Sequence, residues 1–222
     1  MKLPIRTMPA IAIAALLLLK VAAAQAPPHL TPFSADMEFT SARAGGAAHD
    51  MTGKLYVNPD HMRMDMSSGP RGGAIVITNM ATKTTDTLMP EQHMYMEFTA
   101  DQAMMMRRGG MTSSIKPFTD PNNPCANQEG WTCKNLGVEQ VNGRSTDHWQ
   151  ITDKNGKVTN AWVDQKVHFP IKSVTQDGST WQLTNIKEGE QPAGLFEIPE
   201  GYQKMDMGQM MQGMQGMRPP QQ

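Results

Sequence analysis

Apolar and polar residues alternate near the start of the chain, and this alternation predicts strands with one buried face. Residues 33–39 (FSADMEF) and 51–57 (MTGKLYV) place apolar side chains at every second position. Residues 62–66 continue the pattern, with three methionines on one side and polar residues on the other. The further strands predicted in this half of the chain lie at residues 74–79, 84–89 and 94–98.

Three turn dipeptides predict an antiparallel meander in the second half: Asn142-Gly143, Asn155-Gly156 and Asp177-Gly178. These dipeptides are preferred in two-residue hairpins, where both central residues take positive φ. Phe169-Pro170 predicts an edge or a bend, because proline cannot donate to a ladder. The strands predicted around the turns lie at residues 144–152, 157–164, 171–176 and 179–186.

A short helix is predicted between the two sets of strands. Thr99 and Gln102 have the spacing of a capping box, and three methionines, Met104, Met105 and Met106, follow it. Residues 117–130 are predicted as loop. The whole pattern predicts a mostly β protein of about ten strands, and a sheet of that size must curl, close or be covered.

The first 24 residues have the features of a signal peptide. Lys2 and Arg6 precede an apolar run that ends at Leu19, and small residues lead to a predicted cleavage site after Ala24. The run is about half of the ~20 residues that a membrane-spanning helix needs, so no permanent membrane anchor is expected. We predict export, to the periplasm or into the medium, and an extended Pro-rich segment at residues 25–32.

The two cysteines, Cys125 and Cys133, are predicted to form one disulfide. An even cysteine count in an exported chain is typical of structural disulfides. The alternatives are a redox pair or half of a metal site.

Charge and motifs exclude several classes of function. The formal net charge is −1, and cleavage after Ala24 would remove three positive charges and make it −4. The only basic cluster is Arg107-Arg108, so nucleic acid is not an expected partner. Neither a G-x-S-x-G elbow, an H-E-x-x-H motif nor a phosphate-binding glycine loop occurs, and the six histidines are dispersed. We therefore predict a protein that is not an enzyme and has no catalytic residues.

Methionine changes the picture more than any other residue, since there are 21 in 222 residues. Its flexible thioether lines adaptable apolar surfaces and is also a soft ligand for Cu(I). The strand methionines and two tryptophans are the predicted lining of an apolar ligand cavity. The alternatives are plain core packing and, for methionines two residues apart on a strand, ligation of one Cu(I) ion. This set comprises Met62, Met64, Met66, Met94, Met96, Trp149 and Trp181.

Residues 205–222 are rich in Met, Gln and Gly and are predicted to be a disordered tail. Its methionines have no core to join, so they are candidates for Cu(I) binding or for oxidation. Cu(I) is the only cofactor that the sequence suggests. The candidate ligands are Met205, Met207, Met210, Met211, Met214 and Met217.

Several segments together resemble uncharacterised exported bacterial proteins with the LolA/LolB-like lipoprotein-localisation fold. The resemblance extends over residues 33–204 and is carried by residues 53–59 (GKLYVNP), 136–149, 162–172, 183–186 and the closing 195–202 (LFEIPEGY). It implies an incomplete antiparallel half-barrel whose open side is covered by a helical lid, with Met104–Met106 in the lid. The carrier family has an arginine before the proline of its early turn, where this chain has Asn58.

In proteins of this fold, the space between sheet and lid holds acyl chains. The resemblance thus implies a non-enzymatic periplasmic binding or carrier protein for a lipid or an acylated molecule. Two alternatives stay open from the residues: a Cu(I)-binding or metal-buffering protein that uses the tail, and an envelope scaffold that binds another protein.

Overall fold

The structure, a computed structural model, describes residues 30–42, 50–67, 73–99, 101–102, 123–126 and 128–205. The predicted signal peptide, the lid methionines Met104–Met106 and residues 206–222 lie outside the described residues. Within them, no helix has the length and apolar composition of a membrane span.

The described residues form one open sheet of twelve strands, so the predicted mostly β architecture is confirmed. Two strands, β7 and β12, were not among those predicted. Two short 3₁₀ helices lie at Pro90–Gln92 and Ala193–Phe196. The strands are β1 (Phe33–Thr40), β2 (Asp50–Val57), β3 (His61–Ser67), β4 (Gly73–Asn79), β5 (Thr84–Met89), β6 (Met94–Thr99), β7 (Thr132–Val141), β8 (Arg144–Thr152), β9 (Val158–Asp164), β10 (Pro170–Thr175), β11 (Thr180–Glu188) and β12 (Gln203–Lys204).

The sheet consists of two meanders joined at its centre. Its order is β12-β6-β5-β4-β3-β2-β1-β11-β10-β9-β8-β7. The first meander runs outward from β1 to β6, and the second returns inward from β7 to β11. β1 pairs with β11 in antiparallel register from Phe33↔Glu188 to Thr40↔Thr180, with one irregularity after Ser34. The connection between β6 and β7 therefore leaves one side of the sheet and returns at the other.

The hydrophobic core lies around this central pair. Phe33, Leu55 and Leu183 are fully buried there. The loop between β9 and β10 contributes Phe169, whose ring packs edge-on against Phe33 at 5.4 Å between centroids. Burial of such side chains is the main stabilising contribution to the sheet.

The predicted turns are present, but only one has the predicted backbone. At Asn142-Gly143 both residues have positive φ, +50° and +76°. At Asn155-Gly156 and Asp177-Gly178 only the glycine does, at +79° and +84°. Thr175 N–H donates to Ser179 O and Gly178 N–H donates to Thr175 O, so the glycine adds a residue to the turn. The prediction of two-residue turns was wrong at these two hairpins, because the three-residue loop also uses glycine at its left-handed position.

Pro170 starts an interior strand and does not mark an edge. It pairs with Val163, and the register shifts before Lys172. Because the shift accommodates the missing N–H, the alternative prediction of a bend is confirmed.

Two local predictions in the region between the halves are confirmed. Thr99 N–H donates to Gln102 Oε1 (2.9 Å) and Gln102 N–H donates to Thr99 Oγ1 (3.4 Å), which is a capping box. Cys125 and Cys133 form a disulfide with Cα atoms 5.7 Å apart.

Two side chains hold the segment after β11 against the sheet. They are Asn58, which lies just before β3, and Arg63, which lies in β3. Asn58 and Gln191 exchange two hydrogen bonds of 3.1 and 3.0 Å. Arg63 Nη1 donates to Leu195 O at 2.7 Å, and the same guanidinium holds Asp65. Asn58 thus anchors the C-terminal segment.

A buried ion pair fixes the second meander. Arg144 bonds to both Asp164 oxygens and to Glu188 Oε1 (2.8 Å). Asp164, only 1% exposed, also accepts the Lys166 and Val167 N–H groups. Burial by itself raises the pKa of Asp164, but these hydrogen bonds outweigh it and hold the pKa below its ordinary value.

Replacing Asp164 by Asn should lower the free energy of unfolding at neutral pH by about 3 kcal/mol, the order of magnitude for breaking a buried ion pair. Because the folded pKa of Asp164 is depressed, its contribution is complete above the unfolded pKa of about 3.9 and is lost as pH falls through the folded pKa. The difference in free energy of unfolding between wild type and Asp164→Asn, measured by urea unfolding, should therefore become smaller in acid. The control is Asp36→Asn, which removes an exposed pair with Lys54; an equally large loss there would contradict a role for burial.

Gly53 should not tolerate a side chain. A Cβ at this position would lie 2.3 Å from the backbone oxygen of Asp65 on β3. Gly53→Ala should lower the free energy of unfolding by about 2 kcal/mol, since overpacking typically costs 1–3 kcal/mol. Gly194→Ala is the matched control, because a Cβ there meets nothing within 4 Å. Equal melting temperatures for both variants would show that β2 and β3 are not held this closely.

Candidate functional site

One face of the sheet carries the predicted ligand-binding residues. In the ladder from β1 to β6, residues paired across strands lie on the same face. Met37 pairs with Gly53, which pairs with Met66, and Leu55 pairs with Met64. On the other side of β1, Met37 pairs with Leu183 and Phe39 with Trp181. We call this face, marked by Met37, Met64 and Trp181, the apolar face.

Two tryptophans lie in one row on the apolar face of the second meander. Trp181 pairs with Ser173, Ser173 with Ala161, and Ala161 with Trp149. Three strand spacings separate the two tryptophans, about 14 Å. The positions between them hold small side chains. The row is therefore a floor of two small side chains, with one indole ring on each side.

Neither indole N–H of this row has a hydrogen-bond partner among the described residues. The Nε1 atoms of Trp149 and Trp181 are both buried and unpaired. Trp181 is only 5% exposed, and its ring contacts Phe169. A buried donor without an acceptor costs about 1–3 kcal/mol, so an acceptor supplied from outside the protein would be stabilised here.

Methionines line the first meander of the apolar face, in two environments. Met37, Met62 and Met64 are 4–7% exposed and belong to the core. Met66 packs against this core and is half-buried. Met94 and Met96 are also half-buried, beside the Met89 at the end of β5. The predicted lining residues thus share one face, and the core methionines among them also serve packing.

The opposite face carries a polar network that the sequence did not indicate. His148 stacks on Trp162 at 4.3 Å, and Lys172 Nζ lies 4.6 Å from the same indole. Glu139 contacts His148 Nδ1 (2.8 Å) and accepts the Trp162 N–H (2.7 Å). The pKa of Glu139 is lowered first by the Trp162 bond and then by His148. His148 Nε2 contacts Asn160 Oδ1 at 3.1 Å.

Only the strand register brings this network together. In the sequence His148 adjoins Asp147, which lies on the other face, and its partners are nine and twelve residues away. Alternation places His148, Asn160 and Trp162 on polar faces of their strands, but it gives no pairing. This network could have been found only if the β7–β8–β9 register had been known.

A cavity of about 400 Å³ lies near the centre of the sheet, lined by Asp36, Lys54, Tyr56 and Asn185 among others. Asp36 accepts from Asn185 (2.8 Å) and Lys54 (3.1 Å), and these bonds lower its pKa. None of the predicted lining residues borders this cavity. Among the described residues, no group of three or more His, Cys, Asp and Glu side chains is arranged to hold a metal ion.

Strand β7 is an open side of the sheet with exposed apolar residues. It is the last strand in the order and pairs only with β8 among the described strands. Leu136 is 42% and Val138 61% exposed, and Trp131, just before the strand, is 40% exposed. A register irregularity between Asn135 and Gly137 interrupts its alternation.

Comparison with known proteins identifies the family. The family described as "Domain of unknown function (DUF4412)" matches residues 34–168, more than half of the chain. No curated protein matches the chain.

Solved structures show the fold. An uncharacterized conserved protein from Thermus thermophilus is similar with a TM-score of 0.50 at 9% identity, over 79% of this chain and 90% of that chain. MucB is similar with a TM-score of 0.46 at 13% identity, over 77% of this chain and 58% of MucB. The LolA superfamily protein NE2245 from Nitrosomonas europaea is similar with a TM-score of 0.38 at 10% identity, over 76% of this chain and 90% of that chain. The predicted incomplete, mostly antiparallel sheet is confirmed, as one open sheet of twelve strands.

Proposed function

The chain belongs to the DUF4412 family, and we propose that it is a non-enzymatic, exported binding or carrier protein for a lipid or an acylated molecule. The proposed ligand lies on the apolar face of the sheet. The observation that carries the proposal is the row from Trp149 to Trp181, where two buried indole donors lack acceptors among the described residues, beside a floor of small residues.

The tryptophan row fits the polar end of an acylated ligand. Sites for hydrophobic ligands are mainly apolar and contain a few polar groups that fix orientation. An ester, amide or carboxyl oxygen between the rings would accept the indole hydrogen bonds. The proposed oxygen lies next to the small side chains of Ala161 and Ser173, which separate the two rings along the row. The proposed polar end of the ligand therefore lies over β8 to β11.

The methionine side of the apolar face fits the acyl chain. The Leu183–Met37–Gly53–Met66 row runs directly across the centre of the sheet. Methionine adapts its rotamers to varied apolar shapes, which suits chains of different length. Met37 Cε would lie 3.2 Å from a Cβ on Gly53, so Met37 covers the gap that the glycine leaves. The proposed acyl path follows this row from the tryptophans toward β4.

The connection between β6 and β7 is the proposed cover of the ligand. Its described ends lie at opposite sides of the sheet, because β6 belongs to the first meander and β7 starts the second. The predicted lid methionines belong to this connection, outside the described residues. Thr99 and Gln102 form a capping box at its beginning, which supports the resemblance to lidded carriers.

Two observations support the other parts of the proposal. The histidine most embedded in polar contacts among the described residues, His148, lies on the face opposite the tryptophan row and is held by Glu139 and Asn160. This placement supports binding without catalysis. The Cys125–Cys133 disulfide supports an oxidising compartment such as the periplasm.

Trp181→Phe should weaken binding of a fatty acid, because it removes the N–H donor and keeps an aromatic ring. We expect about fivefold weaker binding of cis-parinaric acid in a fluorescence titration, since one hydrogen bond contributes about 1 kcal/mol. Affinity for diphenylhexatriene, which has no acceptor, should not change. The matched control is Trp162→Phe on the opposite face, whose N–H is already bonded to Glu139.

Three results would count against the proposal. They are equal effects of Trp181→Phe on both probes, an effect of Trp162→Phe as large as that of Trp181→Phe, and no saturable binding of either probe by wild type. Native mass spectrometry of the protein purified from its own envelope should show a co-purifying lipid, and a purely apo mass would also oppose the proposal.

A second candidate function, an envelope protein-interaction scaffold, is favoured by β7. Its ten residues present an open hydrogen-bonding edge with exposed Leu136 and Val138. An extended segment of another protein could add a strand there. MucB, one of the similar structures, has been solved in complex with MucA.

If this second function is right, Val138→Lys should abolish stoichiometric co-purification of a partner from the native envelope. A charge at an edge position opposes strand addition. Ala193→Lys, at another exposed position, should leave the partner bound. Retention of the partner by Val138→Lys, or its loss in both variants, would eliminate β7 as the docking strand.

A further inference from the structure

The structure places strand and tail methionines, separate in the sequence, at the same end of the sheet. Met89 ends β5 and pairs directly with Met94, which begins β6. Met96 lies two residues further on the same face as Met94. β12 then pairs with β6 in parallel, with Gln203 beside Met94 and Lys204 beside Tyr95. The next residue, Met205, is the first methionine of the predicted tail.

Two contacts fix the side of the sheet on which Met205 lies. Its N–H donates to Tyr95 O at 2.8 Å, so it continues the parallel register and lies beside Met96. Lys204 Nζ reaches Glu97 Oε1 at 2.8 Å, which places Lys204 on the polar side of β6. Because successive residues of a strand point to opposite faces, Met205 lies on the apolar face with Met94 and Met96. We call Met89, Met94, Met96 and Met205 the methionine edge.

The spacing of the methionine edge allows thioethers to converge. Side chains paired across strands are about 5 Å apart at Cβ, and residues two apart on a strand about 7 Å. Three rotatable bonds let each sulfur move over distances of this order. Met94 and Met96 are central, with Met89 on one flank and Met205 on the other. Any three neighbouring members can therefore bring sulfur atoms to one point.

Burial distinguishes the methionine edge from the core methionines. Met37, Met62 and Met64 are 4–7% exposed and packed in the main cluster. All four members of the methionine edge are half-buried and none belongs to that cluster. These residues are therefore partly exposed in a partly apolar setting, which disfavours hard, strongly hydrated ions.

We propose that the methionine edge is a binding site for a soft monovalent cation, Cu(I). Thioether sulfur selects Cu(I) over the hard cations that oxygen ligands prefer. The neutral ligands leave the positive charge of the ion uncompensated, and Glu97 is already paired with Lys204 on the opposite face. The site therefore suits a monovalent rather than a divalent ion.

This site differs from a site made by the tail alone. Three of its four ligands are strand residues held by the β5–β6 ladder, so most of its geometry exists before the ion binds. It also lies at the opposite end of the sheet from the tryptophan row. Its test is thus independent of the proposed acyl ligand.

The experiment compares variants of the full chain in which Leu replaces Met, a swap that keeps the apolar volume and removes the sulfur. Ag(I) in chloride-free buffer is the first probe, because it is soft and needs no reductant that could open the disulfide. Cu(I), held by ascorbate and a chromophoric competing chelator, is the second probe. The double variant Met94→Leu/Met96→Leu should abolish binding of the first equivalent of the metal ion. Met205→Leu should weaken that binding about tenfold, or about 1.4 kcal/mol.

Two control variants identify the ligands. Met37→Leu/Met62→Leu changes core methionines and should leave the first equivalent unchanged. Binding of the first equivalent should also persist when Leu replaces the remaining tail methionines, Met207, Met210, Met211, Met214 and Met217. Loss of the first equivalent in the tail variant, together with wild-type binding by Met94→Leu/Met96→Leu, would overturn the proposal.

A residue-resolved measurement covers the case in which the double variant fails to fold. Bound Ag(I) should protect Met89, Met94, Met96 and Met205 of the wild-type protein from oxidation by hydrogen peroxide, read by peptide mass spectrometry. The half-buried Met66, two strands from Met89, is the internal reference and should oxidise at the same rate with and without Ag(I). Equal protection of Met66, or no protection at the methionine edge, would also reject the site.

Discussion

The pairing of β1 with β11 is the interaction on which the rest of the structure depends. It joins residues 33–40 to residues 180–188, across most of the chain, whereas every other antiparallel pair of the described strands links strands consecutive in sequence. Without it, the two meanders would be separate sheets, and neither would have a full core around Phe33 and Leu183. It also makes the apolar face continuous, because Trp181 is brought beside Phe39 and Leu183 beside Met37. Long-range pairing of this kind requires loop closure before it gives stability, so folding should be limited by this step.

The two faces of the sheet have different chemistry because alternation holds along most of the strands. On the polar face, Asn58 and Arg63 hold the C-terminal segment, and Glu139 holds His148 and Trp162. These side chains are largely satisfied by one another. On the apolar face, the indole donors of Trp149 and Trp181 are not satisfied by any described residue. The unpaired indole donors, more than the size of any cavity, mark the candidate binding face.

The sequence predicts most of the fold because period-two alternation is a local signal. β1 to β6 and β8 to β11 follow from local strand patterns of this kind, and the turn at Asn142-Gly143 and the capping box follow from equally local motifs. β7 was not predicted because the irregularity near Gly137 interrupts its alternation, and β12 because two residues carry no periodic pattern. The same limit applies to the candidate sites. Alternation indicates that Trp149 and Trp181 each face inward, but their shared row depends on three successive registers, and the position of Met205 depends on a parallel pair that no local pattern indicates.

The short strand β12 also limits how the sheet could assemble with copies of itself. A twelve-stranded open sheet with two free sides could grow by head-to-tail addition into a fibre. Here β12 occupies part of the β6 side, and its two residues offer little backbone for a further strand. Among the described strands, none pairs with the outer side of β7, which is ten residues long. Two copies could then pair through their β7 strands about a twofold axis. Such an assembly stops at the dimer, because both β7 strands are used. By covering part of the β6 side, β12 favours a closed dimer over an open fibre.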